Sequence, residues 1–294
     1  MRARTPDSTG SVLHDGVSLG YQVHGRGERS VLLMPTWTII HARFWKLQVP
    51  YLARRYRVIT FDGPGNGRSD RTTDPNHYSP DVYADAACAV LDEVGAQRAV
   101  VVGLSLGAVY TLRLAQVAPE RVAGVVLIGP ALSLAPLPAD LAHVADRFLQ
   151  RYPADPRGWD KYNLAYWHDH YQDFVEFFFG RVFTEPHSTK PVEDAIAWAL
   201  KPGPDVLEAA ARQPDSALRR SPEAAAAALA SLPCPLLVVQ GTNDQLIDHQ
   251  IGVEAAHLGR GSLLSMAGSG HLPGVRDPVR FNLELRSFID RVAV

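Results

Sequence analysis

The sequence predicts an α/β fold in which a mostly parallel sheet of eight strands is covered by helices on both faces and carries an inserted helical cap. Short apolar runs, such as residues 31–34 and 122–128, alternate with segments of helical spacing, which is typical of a sheet buried on both faces. Between residues 130 and 233 this alternation stops, and proline-linked helical segments replace it. We therefore expect a core formed by residues 1–130 and 235–294, with the cap at residues 131–234.

The strands and helices of the core can be placed in chain order. Residues 1–10 are expected to form a loose arm, and residues 11–24 a hairpin with Asp15-Gly16 at its turn, which gives the sheet an antiparallel edge. Further strands are expected at 31–34, 57–61, 99–102, 122–128, 235–240 and 262–266, and core helices at 44–52, 81–94, 108–115, from about 246 to 257, and from 278 onward.

Composition restricts the possible partners and the compartment. The chain has 294 residues, 46% hydrophobic and 20% charged, with a formal net charge of -2, so polyanion binding is not expected. The first ten residues lack an apolar stretch and no later segment resembles a membrane span, which indicates a cytoplasmic protein without membrane partners. Cys88 and Cys234 lie among small and apolar residues and are expected to be reduced thiols.

Residues 98–108 contain the pattern on which the functional prediction rests. A β-branched run leads into Gly103-Leu104-Ser105-Leu106-Gly107 and then into a helix, and this order is typical of a nucleophile elbow. Glycines are needed on both sides of Ser105 because a Cβ atom there would collide with the strand or the helix. The Leu106 N–H lies in the first helical turn, has no intrahelical partner and can face a developing oxyanion. A capping role for Ser105 is the structural alternative.

A serine nucleophile needs a base, and the base needs an orienting acid. Asp244 follows one predicted strand and His271 follows the next, so both should project from the same sheet edge as Ser105. The chain order Ser, Asp, His is the order expected for this architecture. Asp248, one turn further on, is the alternative acid, and Asp244 could instead cap the following helix.

The chain resembles a capped α/β-hydrolase-fold serine hydrolase of the esterase-like branch across nearly its whole core. The resemblance rests on Asp62-Gly63-Pro64-Gly65-Asn66-Gly67-Arg68-Ser69-Asp70, Gly103-Leu104-Ser105-Leu106-Gly107, Gly241-Thr242-Asn243-Asp244, and Gly268-Ser269-Gly270-His271 with Pro278 and Phe281. It implies that Ser105 is the nucleophile, His271 the general base and then acid, and Asp244 the orienting carboxylate. It also implies an oxyanion hole formed by the backbone N–H groups of Leu106 and Trp37, and no cofactor or metal.

One departure from the family's pattern concerns the oxyanion hole. Members of the family commonly carry His-Gly where this chain has Pro35-Thr36. Thr36 either leaves the following N–H misaimed or compensates with its hydroxyl. The departure favours a second class of function, a ligand receptor of the same fold with slow or absent turnover, whereas the intact set of Ser105, Asp244 and His271 favours an enzyme.

Three other clusters contain residue types that can bind a substrate, a metal or a nucleotide. Trp167, Tyr171, Phe174 and Phe178 share one face of a predicted cap helix and either pack together or line a substrate pocket over Ser105. The nearby His168 and His170 point about 200° apart on a helix, so a polar surface is expected there rather than a metal site. The glycine-rich loop 62–70 is not followed by a helix at its last glycine, which argues against dinucleotide binding.

The sequence thus predicts hydrolysis of an ester or related acyl bond in a small, largely apolar substrate. A serine at the elbow argues against the epoxide and haloalkane branches of the family, which use aspartate. Lactonase, thioesterase, carbon–carbon bond hydrolase and acyltransferase activities remain open, because the cap and water access select the acceptor and the scissile bond. The protein is expected to be a monomer or a homodimer.

Overall fold

The computed structural model describes residues 4–136, 141, 144–186, 189–213 and 216–292. Within them, one sheet of eight strands has the order β1-β2-β4-β3-β5-β6-β7-β8. β1 and β2 pair antiparallel, as do β2 and β4, and the other neighbours are parallel. The predicted α/β fold class is confirmed. The strands are β1 (Ser8–His14), β2 (Val17–His24), β3 (Ser30–Leu33), β4 (Arg57–Phe61), β5 (Ala99–Leu104), β6 (Val122–Ile128), β7 (Leu236–Gly241) and β8 (Ser262–Met266).

Helices cover both faces of the sheet. The core helices are α1 (Val49–Leu52), α2 (Pro80–Glu93), α3 (Leu106–Val117), α10 (His249–Leu258), α11 (Pro273–Arg276) and α12 (Pro278–Arg291). The segment between β6 and β7 contains α4 (Val144–Arg147), α5 (Leu164–Val182), α6 (Thr189–Ala199), α7 (Pro204–Ala211), α8 (Ala217–Arg220) and α9 (Pro222–Ala230). Short 3-10 helices lie at Ala42–Leu47, Pro75–Tyr78, Pro119–Arg121 and Gly158–Lys161. In the described ranges, none of the helices is both long and apolar enough to cross a bilayer.

The two faces of the sheet have separate apolar cores because successive strand side chains point to opposite sides. Val101 packs with α2, α3, α9 and α10, whereas Val100 and Val102 pack with α1, α12 and α5. β5, β6 and β7 are buried along their whole length, as their uninterrupted apolar runs predict.

The end of the inserted segment also covers the sheet. Ala225 and Leu229 of α9 are buried in the same apolar core as α3 and α10. The limits of the cap, residues 131–234, stay a prediction, and residues 137–140, 142–143, 187–188 and 214–215 of that range lie outside the described residues.

Two local predictions are wrong. Residues 8–10, expected in a loose arm, belong to β1, where Thr9 pairs with Gln22. Backbone hydrogen bonds to β2 hold these mostly exposed residues in the sheet, so no apolar pattern in the sequence reveals them. The helix expected over 44–52 is divided into a 3-10 helix and α1, because Pro50 lacks the N–H that a continuous helix would need there.

Candidate active site

Ser105 lies at a sharp turn between β5 and α3. Its backbone has φ +56° and ψ -116°, a left-handed conformation that is strained for a residue with a side chain. A Cβ on Gly103 would collide with the Gly107 carbonyl, and one on Gly107 would collide with the Pro35 carbonyl. Both flanking positions therefore require glycine, as the elbow pattern predicts.

Asp244 and His271 are hydrogen-bonded to each other in a buried site. His271 Nδ1 lies 2.8 Å from Asp244 Oδ2, and the two side chains are 5% and 0% exposed. The other oxygen, Asp244 Oδ1, accepts the N–H groups of Leu246 and Ile247 at 2.9 and 3.0 Å. Asp248, the alternative acid, instead caps α10 by accepting the Gln250 N–H. His271 therefore contacts Asp244 and not Asp248.

The Asp244–His271 pair lies next to the end of β6, the strand that pairs with β5. The Ser105 N–H donates to the carbonyl of Ile128, the last residue of β6, at 2.8 Å. At the next position, Gly129, a Cβ would lie 3.1 Å from the His271 ring and 3.3 Å from Asp244 Oδ2. Three sheet-edge loops thus bring Ser105, Asp244 and His271 to one region.

The two predicted oxyanion donors belong to the turn itself and to the segment that packs against it, since a Cβ on Gly107 would lie 3.6 Å from the Thr36 Cα. Among the described residues, no acceptor is bonded to the backbone N–H of Leu106 or Trp37. The Thr36 hydroxyl donates to the Leu104 carbonyl at 2.8 Å, so it is engaged elsewhere and does not replace a misaimed donor. Its bond instead ties the Pro35-Thr36 segment to the residue before Ser105.

The end of α5 contacts both loops that carry the buried pair. The Val182 carbonyl accepts the His271 N–H at 3.0 Å, and the carboxylate of Glu185 accepts the Gly270 N–H at 2.9 Å. Arg181 donates to the Gln245 side chain at 3.0 Å, next to Asp244. Glu185 is buried, which makes its bond effective. The sequence does not identify Glu185, because only folding brings it to the loop that carries His271.

Gln240 is a second residue of the site that was not predicted from the sequence. It is fully buried at the end of β7, and its side-chain nitrogen donates to Asp244 Oδ2 and to the Ile247 carbonyl, both at 3.1 Å. A polar residue ending the otherwise apolar run 235–240 was the available signal. Gln240 therefore helps to hold the Asp244 carboxylate in place from the end of β7.

Three of the four predicted pocket residues surround Trp37. Its ring centroid lies 5.1 Å from Phe178, 6.1 Å from Trp167 and 6.5 Å from Phe174. Tyr171 is directed elsewhere, with its hydroxyl donating to the Ala199 carbonyl. The helical spacing placed it on the same face, but α5 is interrupted at His170, where φ is -142° and ψ +44°. Trp37 and the three residues around it are called the aromatic cluster below.

The remaining polar clusters have structural contacts. His168 Nε2 lies 2.7 Å from a Glu208 carboxylate oxygen on α7. In the part of the chain that the structure describes, no group of three or more potential ligands is arranged to hold a metal ion. In the glycine-rich loop, Asp62 accepts the N–H groups of Ala42 and Arg68, and burial raises the pKa of its carboxyl group.

Known proteins are similar to most of this chain. The family described as alpha/beta hydrolase fold matches residues 23–278. The "Putative carbamate hydrolase RutD" of Caulobacter segnis is 37% identical over 123 residues, which cover 41% of this chain and 45% of that protein. The 2-hydroxymuconate semialdehyde hydrolase of Pseudomonas sp. (strain CF600) is 44% identical over 87 residues, 30% of either chain. The matches span less than half of these two relatives.

Solved structures extend the similarity in fold to nearly the whole chain. The structure of esterase RhEst1 from Rhodococcus sp. ECU1013 aligns with a TM-score of 0.77 at 23% identity. The alignment covers 96% of this chain and 98% of that one. At this identity the likeness establishes a common fold that includes the inserted segment.

Proposed function

Because the chain belongs to the α/β-hydrolase fold family, we propose that it is a serine hydrolase that cleaves an ester or related acyl bond through an acyl-enzyme on Ser105. The proposal rests mainly on one observation, the buried 2.8 Å contact between His271 Nδ1 and Asp244 Oδ2 beside the elbow. A buried carboxylate on Nδ1 holds the ring so that Nε2 is free to accept a proton. The proposed substrate is small and largely apolar.

In the proposed first step, Ser105 Oγ attacks the acyl carbon while His271 Nε2 takes the hydroxyl proton. Asp244 stabilises the imidazolium that forms, and the negative charge on the carbonyl oxygen rests on the N–H groups of Leu106 and Trp37. His271 then gives its proton to the leaving group. Water repeats the sequence on the acyl-enzyme, releasing the acid and restoring Ser105.

The aromatic cluster supports an apolar substrate. Trp37 carries one proposed oxyanion donor on its backbone while its ring contacts α5. The rings that pack against the Trp37 ring therefore belong to the inserted segment, and we expect them to offer an apolar wall to an acyl group. We propose that Trp167, Phe174 and Phe178 form part of the substrate pocket.

The test is the mass of the intact protein after brief exposure to a fluorophosphonate, which reports an activated serine without a known substrate. We expect one adduct, located on Ser105 by peptide mapping and absent from folded Ser105→Ala. The same residue change should abolish ester hydrolysis. A folded protein that forms no adduct would contradict the mechanism and favour the ligand-receptor function.

Carbon–carbon bond hydrolysis is a second candidate, favoured by the 44% identity to the 2-hydroxymuconate semialdehyde hydrolase. Both candidates use an activated serine site, so labelling does not separate them. Steady-state assays with aryl esters, lactones, thioesters and a dienoate ring-cleavage product would do so. A kcat/KM for the dienoate well above that for every ester would identify the second candidate.

A further inference from the structure

A cavity of about 470 Å³ lies away from the candidate catalytic residues. Its walls come from β2, the loop after β4, the 3-10 helix Ala42–Leu47 and Lys201, which follows α6. Ser105, Asp244 and His271 are not part of its lining. The proposed hydrolysis does not use this cavity.

The cavity walls carry an excess of positive charge. Within the described part of the chain, the side chains of Arg43, Arg68 and Lys201 line the cavity without a hydrogen bond or ion pair. Asp62 is the carboxylate in the lining, and its two oxygens already accept backbone N–H groups at 2.8 and 2.9 Å. Lys46, by contrast, is paired with Asp194. The unpaired cations leave a positive field in the cavity.

Two buried imidazoles add neutral hydrogen-bonding groups to these walls. His24 is 3% exposed, and its Nδ1 has no hydrogen-bond partner in the described structure. Burial lowers the pKa of His24, and burial together with the charges of Lys201 and Arg43 lowers the pKa of His41 to about 4. Both rings are therefore neutral near pH 7. Neutral rings add no charge to the cavity walls, so the charge balance there is set by Asp62 and the cations.

We propose that this cavity binds a doubly charged anionic group carried on a small organic molecule, either a phosphate monoester or a compact polycarboxylate. Arg43 and Arg68 offer planar donor groups suited to phosphate and carboxylate oxygens. The cavity is much larger than a free phosphate ion. It is also lined by Phe61 and Val49, whose apolar side chains suit the organic part of the ligand. Lys201 lies on the inserted segment, so the bound anion would bridge it to the core.

Isothermal titration calorimetry at low salt tests this site with AMP, mainly a dianion near pH 7, and citrate, mainly a trianion, as the two anionic probes and adenosine as the uncharged control. We expect saturable binding of one equivalent, with a Kd below about 1 mM, and none for adenosine. Tighter binding of AMP identifies a phosphate ligand, and tighter binding of citrate identifies a polycarboxylate.

Variants that remove positive charges test whether the anions bind in this cavity. The double change Arg43→Gln and Arg68→Gln should weaken binding of the tighter probe by about tenfold or more, because two nearby charges are lost. Arg260→Gln removes an exposed charge outside the cavity and should leave the Kd unchanged. The proposal is overturned if neither anion binds at about 5 mM, if adenosine binds as tightly as AMP, or if Arg260→Gln weakens binding as much as the double change.

Discussion

Two aspartates four residues apart have different structural roles, although both follow β7. Asp244 accepts hydrogen bonds from two backbone N–H groups and from Gln240, in addition to its contact with His271. Asp248 accepts one N–H at the first turn of α10. The first carboxylate can orient a base, and the second stabilises a helix end.

Replacing each aspartate by asparagine should separate these roles. In Asp244→Asn, the carboxylate that fixes His271 is lost, and we expect the rate of Ser105 labelling by a fluorophosphonate to fall by about 10³-fold or more. Asp248→Asn should change it less than about twofold, because asparagine is an equally good helix cap. A larger fall in the labelling rate for Asp248→Asn than for Asp244→Asn would mean that Asp248 is the orienting acid.

His41 should make the stability of the fold depend on pH. Burial, with the charges of Lys201 and Arg43, lowers the pKa of His41 from 6.5 to about 4. Between these values the unfolded chain binds a proton that the native protein does not, so the free energy of unfolding decreases as pH falls. From about pH 7 to about pH 5 the loss should be about 2 kcal/mol.

Urea unfolding at the two pH values measures this loss, with His41→Asn as the comparison. Asparagine can keep the hydrogen bond to the Arg43 N–H but does not titrate. The variant should lose about 2 kcal/mol less than the wild type over the same interval. An equal loss in both proteins would mean that other groups cause the pH dependence.

At the scale of elements, the end of α5 fixes the geometry of two core loops. Residues 181–185 bond to the loop that carries His271 and to the side chain that follows Asp244. A Cβ on Gly270 would lie 2.8 Å from the Val182 carbonyl and from the Thr184 hydroxyl, which shows how closely the two segments approach. An inserted helix therefore supports the candidate catalytic residues from outside the sheet.

Glu185 should act as a positioning residue. Glu185→Ala removes the acceptor of the Gly270 N–H, and we expect the rate of Ser105 labelling to fall by about tenfold. Glu185→Gln retains an acceptor oxygen and should restore most of that rate. Glu176→Ala removes an exposed carboxylate from α5, the helix that precedes Glu185, and serves as the matched control. Failure of glutamine to restore the rate in a folded protein would argue against this role.

At the scale of the whole molecule, burial is concentrated in the middle of the sheet. β5, β6 and β7 are buried throughout, whereas β1 pairs with a neighbour on one side and exposes most of its residues. Local opening costs least where few apolar contacts are lost. The sheet should therefore open from its hairpin edge.

Hydrogen exchange measured by mass spectrometry checks this order. Peptides from β5 and β6 should exchange slowest, at rates set by global unfolding, and peptides from β1 should exchange faster by about 100-fold or more. Tyr21 and Gln22 on β2 should be intermediate, because β2 is paired on both sides. Equal protection of β1 and β6 would indicate one cooperative unit.

The sequence predicted features that depend on local patterns. Apolar runs located strands β3 to β8, the Asp15-Gly16 turn signal located the edge hairpin apart from the first residues of β1, and the Gly103-to-Gly107 pattern located the turn at Ser105. These features depend on steric limits that act over a few neighbouring residues. Tyr171 and Glu185 could not be placed in this way. The position of Tyr171 depends on an interruption at His170, and the role of Glu185 depends on a contact across 85 residues.

The contacts of residues 181–185 determine how the inserted segment can be exchanged in protein engineering. A graft whose second junction lies after Glu185 would replace the acceptors of the Gly270 and His271 N–H groups together with the proposed pocket wall. A junction just before Arg181 keeps those acceptors in the recipient while still exchanging Trp167, Phe174 and Phe178. A graft can therefore change the proposed pocket residues without changing the contacts that align His271 only if its second junction lies inside α5.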